Sequence, residues 1–401
     1  MAAIDANHDH GPMPAARPAR LIATVALALA LGYLVVLAGG VLSGEWLIDS
    51  LGRPIASDFV NVWAAGRLAA QGHAPLAYDW TVHKAMEVRA VGHDFANYYG
   101  WHYPPPFLFV AMLLSSLPIV PAMACWLAVT LAPYLIAVRS IVGARAGYLV
   151  ALGFPATLWN VTPGQNGFFT ASLIGGTLAL LERAPVAAGV CLGLLTYKPH
   201  FGVLFPIALL AGRHWRAFMA AAVTAIVMMT ASWLAFGTAT WLAFVEATPK
   251  MTHAVLGEGL ADFGRLQSLY GLVRGAGGGA TLAWTIQGSA ALSCAAITAR
   301  LWLGSTPYAL KAAALAAAAL IATPYLYIYD LVILAIPVAY LVRLGLARGF
   351  TRAECVGLPA AVLLLLSYPY VTTQVGLAAV LVVAALIALR VRGERLSTQK
   401  P

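Results

Sequence analysis

The chain has 401 residues, of which 61% are hydrophobic and only 10% are charged, and its mean hydropathy is +0.82. A soluble domain of this length carries roughly 25% charged residues, so the composition excludes a water-soluble protein and predicts a polytopic integral membrane protein. The net charge of +9 does not indicate a nucleic-acid partner, because no basic stretch is interleaved with stacking aromatic residues.

The amino-terminal segment 1–20 is polar and rich in Ala, Pro and His, and we expect it to be a disordered cytoplasmic tail. The apolar run that follows is about 21 residues long. This length is enough to span a bilayer and exceeds the apolar core of a usual signal peptide, so we expect a retained first helix. Residues 21–397 are then predicted to form a single transmembrane domain.

The rest of the chain alternates between apolar runs and short polar breaks, which predicts an all-α fold with about 11–13 transmembrane helices. Several runs are shorter than a straight crossing requires, so these must be buried among other helices or line a cavity. The candidate spans are 21–42, 106–118, 121–142, 147–161, 166–181, 185–197, 199–211, 217–236, 281–303, 308–323, 331–342, 356–370 and 375–390.

The orientation follows from the Lys and Arg clusters in short loops, which favour the cytoplasmic side. This rule places both termini inside the cell, if the segment 147–161, which contains Pro155, does not span the membrane. The clusters assigned to the cytoplasm are Arg17 with Arg20, Arg183, Arg213 with Arg216, Arg300 with Lys311, Arg343 with Arg348 and Arg352, and Arg390 with Arg392 and Arg395.

Two long connections, 44–105 and 237–280, are then predicted to lie outside the cell. They hold nine of the fifteen acidic residues. A connector between helices needs only a few residues, so connections of this length indicate function, although a solvated lid without chemistry remains an alternative.

The first outer connection contains Asp58 in the sequence Ser57-Asp58-Phe59. Apolar residues follow at helical spacing up to Gly72, which predicts an interfacial amphipathic helix lying at the membrane surface with Ser57 as its cap. Asp58 then occupies the first turn. It either complements the helix dipole or acts as a general base.

Three further breaks between apolar runs carry polar or aromatic side chains, and the predicted topology places them on the outer side of the membrane as well. The segment 98–106 includes His102 and Tyr103 and is typical of an aromatic membrane anchor. The segment 162–166 includes Gln165 and Asn166. Lys198 lies between two apolar runs, where it either snorkels to the membrane surface or holds a phosphate.

Asp330 is the one acidic residue within the helix-rich region 281–342. An ionisable residue at the edge of a span indicates a site unless it is a hydrated helix cap. The four cysteines form no CxxC pair and have no His at zinc-ligand spacing, so neither a disulfide framework nor a structural metal is predicted.

Taken together, these motifs resemble the polyprenol-phosphate-mannose-dependent transferases of glycosyltransferase family 87 in the GT-C superfamily. The resemblance covers most of the chain and depends on the order and spacing of several short motifs. They are Ser57-Asp58-Phe59, Tyr78-Asp79, Tyr103-Pro104-Pro105, Gly164-Gln165-Asn166, Ala188-Gly189 through Gly193 to Lys198, and Leu266-Gln267-Ser268-Leu269.

The resemblance implies a mannosyltransferase or related hexosyltransferase of GT-C-like fold in the plasma membrane, with its active site facing the periplasm or cell exterior. Asp58 matches the catalytic base of an inverting transfer. The residues expected near the donor phosphate and sugar are Lys198, Gln165, Asn166, Tyr103, His102, Gln267 and Asp330. The family often has histidines where this chain reads Thr323 to Asp330, which leaves the role of Asp330 open.

The partners implied are a polyprenyl-phosphate sugar donor, a glycolipid or glycan acceptor and membrane lipid, with no metal or other cofactor. The oligomeric state is not predicted. The alternatives are a transporter or glycolipid flippase, which requires charges at mid-membrane, and a structural subunit of an envelope complex. Polar residues that cluster at one face favour the enzyme.

Overall fold

A computed structural model describes residues 16–45, 57–95, 100–260, 262–371 and 373–398. The regular elements among these residues are all helical, which confirms the predicted fold class. The helices are α1 (Ala16–Leu42), α2 (Ser57–Ala70), α3 (Trp80–Val91), α4 (Leu108–Leu114), α5 (Ile119–Val142), α6 (Ala146–Leu152), α7 (Pro155–Val161), α8 (Gly167–Leu180), α9 (Pro185–Leu194), α10 (Phe205–Ala211), α11 (Trp215–Thr252), α12 (Leu269–Gly275), α13 (Ala280–Leu303), α14 (Tyr308–Ala322), α15 (Ala335–Arg348), α16 (Arg352–Leu366) and α17 (Val375–Thr398).

Six helical segments in the described part of the chain are long and apolar enough to cross a bilayer, so the chain is a multi-pass membrane protein. They are Pro18–Leu42, Ile119–Val142, Trp215–Gly257, Ala280–Leu303, Ile328–Arg348 and Val375–Arg395. Five shorter apolar helices accompany them in the described residues. The predicted 11–13 crossings require most of these shorter helices to cross as well, and that number stays a prediction.

The first helix begins at Ala16, five residues before the predicted start of the first span at residue 21. Ala and Arg are good helix formers, and Pro18 is tolerated because it lies in the first turn. Residues 1–15 of the predicted disordered tail lie outside the described residues.

The segment predicted not to span, 147–161, forms the two seven-residue helices α6 and α7. A helix of this length rises only about 10 Å, so neither helix can cross a bilayer. The helix is interrupted at Gly153, which packs against α1 so closely that an added Cβ would lie 2.3 Å from the carbonyl oxygen of Ala26. Pro155 then begins α7 at a position where its missing N–H costs nothing.

The second predicted connection, 237–280, is largely helical. Helix α11 continues past a break at Gly237, which has φ 77° and ψ 168°, to Thr252. A π-helical turn, His253–Gly257, extends it further, and α12 follows. Gly237 adopts this backbone conformation without a Cβ penalty, so the chain changes direction there and continues as a helix.

Helix α2 is packed within the protein on several sides, and its predicted place at the membrane surface stays a prediction. Residues on several sides of the helix are buried, including Phe59, Val60, Ala64 and Ala65. Gly66 packs so closely against α4 that an added Cβ would lie 1.9 Å from the carbonyl oxygen of Ala111. Small side chains therefore allow the two helices to approach, and α2 is held inside the protein. The side chain of Ser57, the predicted cap, is outside the described residues.

The close contact at Gly66 predicts that adding one methyl group at this position greatly lowers the stability of the protein. Gly66→Ala should lower the stability of the detergent-solubilised protein by about 1–3 kcal/mol, because backbone atoms cannot yield as a flexible side chain can. Thermal unfolding measures the change. Gly32→Ala is the matched control, since Gly32 lies in a helix with nothing within 4 Å of an added Cβ. Equal unfolding temperatures for the two variants would contradict the tight contact.

Candidate active site

A cavity of about 870 Å³ opens where many helix ends meet. Its walls come from segments that are far apart in sequence and were predicted to face the same side of the membrane. These segments are the first turn of α2, Tyr78, residues 100–104, the end of α7 with residues 162–163, residues 197–200, the last turns of α11 with Val255, residues 260 and 265, residues 325–330, and Tyr368. The fold therefore collects the polar breaks of the sequence around one chamber.

Asp58 lies in this wall, in the first turn of α2. Burial raises the pKa of its carboxyl to about 6, while a hydrogen bond from Gln165 and the positive charges of Lys198 and Arg265 oppose the rise. The backbone N–H of the next residue, Phe59, donates to the carbonyl oxygen of Pro163 at 3.1 Å. Asp58 is thus a partly buried carboxylate that can exchange a proton near neutral pH.

Gln165 and Asn166 lie behind the cavity wall and hold its residues in place. Gln165 is hydrogen-bonded to Asp58, and its Oε1 accepts the backbone N–H of Asn166 at 2.8 Å. Asn166 Nδ2 donates to the hydroxyl of Tyr103 at 2.7 Å. The turn before them contains Gly164 at φ +68°, where an added Cβ would lie 2.7 Å from Phe59.

Lys198 and Asp330 form a buried ion pair in the cavity wall. Lys198 Nζ donates to Asp330 Oδ1 at 2.7 Å, and the two residues are 5% and 1% exposed. Asp330 Oδ2 also accepts the backbone N–H of Tyr327 at 3.2 Å. Of the two alternatives for Lys198, snorkelling to the membrane surface does not hold, because its ammonium is paired with Asp330 inside the protein. Asp330 caps a helix turn, as one alternative predicted, but it is paired rather than hydrated.

Aromatic side chains form much of the remaining wall. His102 stacks on Tyr103 with ring centroids 4.4 Å apart, and its Nδ1 is 3.0 Å from the carbonyl oxygen of Gly100. Tyr327 stacks on Tyr329 at 5.3 Å with nearly parallel rings. Flat faces next to polar groups suit a sugar ring, which has both C–H and hydroxyl faces.

Gln267, predicted to contact the donor, does not line the cavity. It is fully buried, its Nε2 donates to the carbonyl oxygen of Gly264 at 2.9 Å, and its Oε1 accepts the backbone N–H of Gly376 at 2.8 Å. Gln267 therefore connects the segment after α11 to the start of α17. Asp79, part of the motif around Tyr78, likewise caps α3 by accepting from the N–H groups of Thr81 and Val82.

Sequence reasoning missed two groups of cavity residues, namely Arg265 and the pair Tyr327 and Tyr329. The sequence did contain a signal for Arg265. Lys and Arg are usually concentrated in cytoplasmic connections, and Arg265 lies in a connection predicted to be outside the cell. The sequence contained no such signal for the two tyrosines, because apolar and aromatic residues also alternate at the start of ordinary helices. Among the described residues no group of three or more His, Cys, Asp or Glu side chains is placed to hold a metal ion.

The ion pair predicts strong coupling between two substitutions. Lys198→Met and Asp330→Asn should each destabilise the protein by roughly 3 kcal/mol, because each leaves the other residue of the buried pair without a partner of opposite charge. The double variant should recover much of that loss. Thermal unfolding of the three variants in detergent measures the coupling, and additive losses would show that the pair contributes nothing to stability.

Comparison of the chain with known proteins found one matching family. The model of glycosyltransferase family 87 matches residues 101–324, which is more than half of the chain. The matched region includes Lys198 and Arg265, whereas Asp58 and Asp330 lie outside it. No curated protein and no solved structure matches the chain. The chain belongs to glycosyltransferase family 87 and is a membrane glycosyltransferase.

Proposed function

We propose that the protein transfers a hexose from a polyprenyl-phosphate donor to a hydroxyl of a glycolipid or glycan acceptor. Mannose is the hexose that we propose. The observation that carries the proposal is the position of Asp58, a carboxylate with a raised pKa that shares one cavity with two cations. A base that faces cations suits a reaction in which a hydroxyl loses a proton while a phosphate leaves.

The shape of the cavity supports a lipid-linked donor. One wall is formed by the last turns of α11 and the π-helical turn after it, and it includes Phe244, Ala247, Met251 and Val255. Opposite charges and apolar side chains therefore line the same chamber. An isoprenoid chain fits the apolar wall, while the phosphate and sugar fit the polar and aromatic side.

The reaction proposed is a single displacement. The acceptor oxygen attacks the anomeric carbon as its proton passes to Asp58, and the bond between that carbon and the phosphate oxygen breaks. The phosphate keeps the bonding electron pair, so the products are an inverted glycoside and a polyprenyl monophosphate. The anomeric carbon resembles an oxocarbenium ion at the transition state. The leaving phosphate needs neither a proton nor a metal ion in this scheme.

The Lys and Arg clusters support a site on the periplasmic or extracellular face of the plasma membrane. Among the described residues, those of the clusters predicted to be cytoplasmic do not line the cavity, whereas the cavity residues come from segments predicted to lie outside. A donor that already carries its sugar on a lipid suits that face, because it needs no soluble nucleotide.

The central prediction concerns Asp58. Asp58→Asn keeps the shape of the side chain and removes its ability to accept a proton, so turnover should fall by about 100-fold or more. The unfolding temperature should not fall, because burial disfavours the ionised carboxylate at neutral pH. Transfer of radiolabelled sugar from polyprenyl-phosphate mannose in membranes measures turnover.

Asp79→Asn is the matched control for this variant. It makes the same chemical change at a helix cap, where Asn serves as well as Asp, so activity should stay close to wild type. Near-full transfer by the Asp58→Asn protein would remove the base assignment and return the transporter alternative to consideration.

The pH dependence follows from the same carboxyl. The pKa of Asp58 is raised to about 6, and a base acts only when ionised, so kcat/KM should be flat above neutrality and fall about tenfold per pH unit below 6. Donor binding to Asp58→Asn, followed over the same pH range, controls for effects on substrate. A midpoint near pH 4, or a rate that rises on acidification, would contradict the assignment.

A further inference from the structure

The charges around the cavity are not equally available to a ligand. Lys198 is 2.7 Å from Asp330 and both side chains are buried. A phosphate that takes Lys198 as its counter-ion must share it with Asp330 or displace it. Displacement would leave a buried carboxylate without its cation, and removing one partner of such a pair costs several kcal/mol. Lys198 is therefore compensated within the protein.

Arg265 is different. It lines the cavity and is exposed, and among the described residues no carboxylate lies within ion-pair distance of its guanidinium. Its positive charge acts on the Asp58 carboxylate and on Tyr327 and Tyr368, which also line the cavity. Arg265 thus lines the same cavity as Asp58 and lies within electrostatic reach of its carboxylate.

The segment that carries Arg265 is held by hydrogen bonds on both sides. Asp262 Oδ1 accepts the N–H of Gly264 at 3.0 Å. Gln374 Nε2 donates to the carbonyl oxygen of Phe263 at 3.1 Å. On the other side, the backbone N–H of Gln267 donates to the carbonyl oxygen of Leu326 at 2.6 Å. The backbone of Arg265 is therefore fixed, while its side chain extends into the cavity.

We propose that Arg265 is the residue that binds the donor phosphate and that Gln267 positions it. This inference rests on the proposed lipid-phosphate donor and identifies which cation recognises it. A guanidinium presents two parallel N–H donors to a phosphate and keeps its charge at any physiological pH.

The same contact assists the chemistry. The donor is a phosphodiester with one negative charge, and the product is a monoester that gains negative charge as the bond breaks. The attraction to Arg265 is therefore stronger in the transition state than in the bound donor, which is the condition for catalysis. Loss of the guanidinium should lower kcat as well as donor affinity.

A binding experiment separates this role from the transfer reaction. The probes are farnesyl phosphate, a short prenyl monophosphate, and farnesol, which has the same chain without the phosphate. Their affinities are measured by thermal-shift titration of the full-length protein in detergent. Wild type should bind the phosphate at least tenfold more tightly than the alcohol. Arg265→Gln should lose most of that preference, and Arg265→Lys should keep part of it.

Lys250→Gln is the matched control, because Lys250 is an exposed cation at the end of α11 and is absent from the cavity wall. It should keep the wild-type preference. Gln267→Met removes the hydrogen bonds of this side chain to Gly264 and Gly376 without adding a charge. It should weaken phosphate binding and leave farnesol binding unchanged, because Gln267 positions Arg265 and does not line the cavity.

The outcomes distinguish the two proposals. If wild type does not prefer the phosphate, the lipid-phosphate donor is wrong and the role of Arg265 fails with it. If wild type prefers the phosphate and Arg265→Gln keeps that preference, only the role of Arg265 is overturned. If Lys198→Met alone abolishes the preference in a protein that still binds farnesol, Lys198 is the phosphate ligand instead.

Discussion

The ion pair between Lys198 and Asp330 joins residues that are 132 positions apart in the chain. It connects the turn between α9 and α10 to the turn that begins the helical segment leading into α15. Both turns carry cavity residues, including the tyrosines at 327 and 329. Because neither charge can be buried alone without a large cost, the pair requires these two turns to stay together, and the chamber keeps its shape only while they do.

A second constraint acts on the part of the wall that carries Asp58. Asp58 can be poised near neutral pH only if water is largely removed from around it and a few polar groups replace that water. Helix α2 meets this requirement because Gly66 allows it to pack against α4, and Gln165 supplies a hydrogen bond. The carboxylate is less stable there than in water, which raises its pKa and suits the role of base that we propose for it.

The segment from Thr323 to Asp330 determines which charges are available at the cavity. It places stacked tyrosines and an acidic residue where the resemblance suggested histidines. Asp330 compensates Lys198 and caps its own helical turn, so it has a structural reason to be acidic. The tyrosines supply flat faces to the cavity. This difference therefore changes the charge available at the site and leaves Arg265 as the exposed cation.

The amino-acid sequence by itself determined the all-helical membrane fold, most helix bounds, the break around Pro155 and the segments that meet at the site. These features depend on local composition: apolar runs must leave water, and Pro and Gly interrupt helices. Tertiary structure decided the rest, including the burial of α2, the pairing of Lys198 with Asp330 and the position of Arg265 in the cavity wall. Such contacts join residues far apart in the chain, and their energies depend on burial and on neighbouring charges, which no local pattern records.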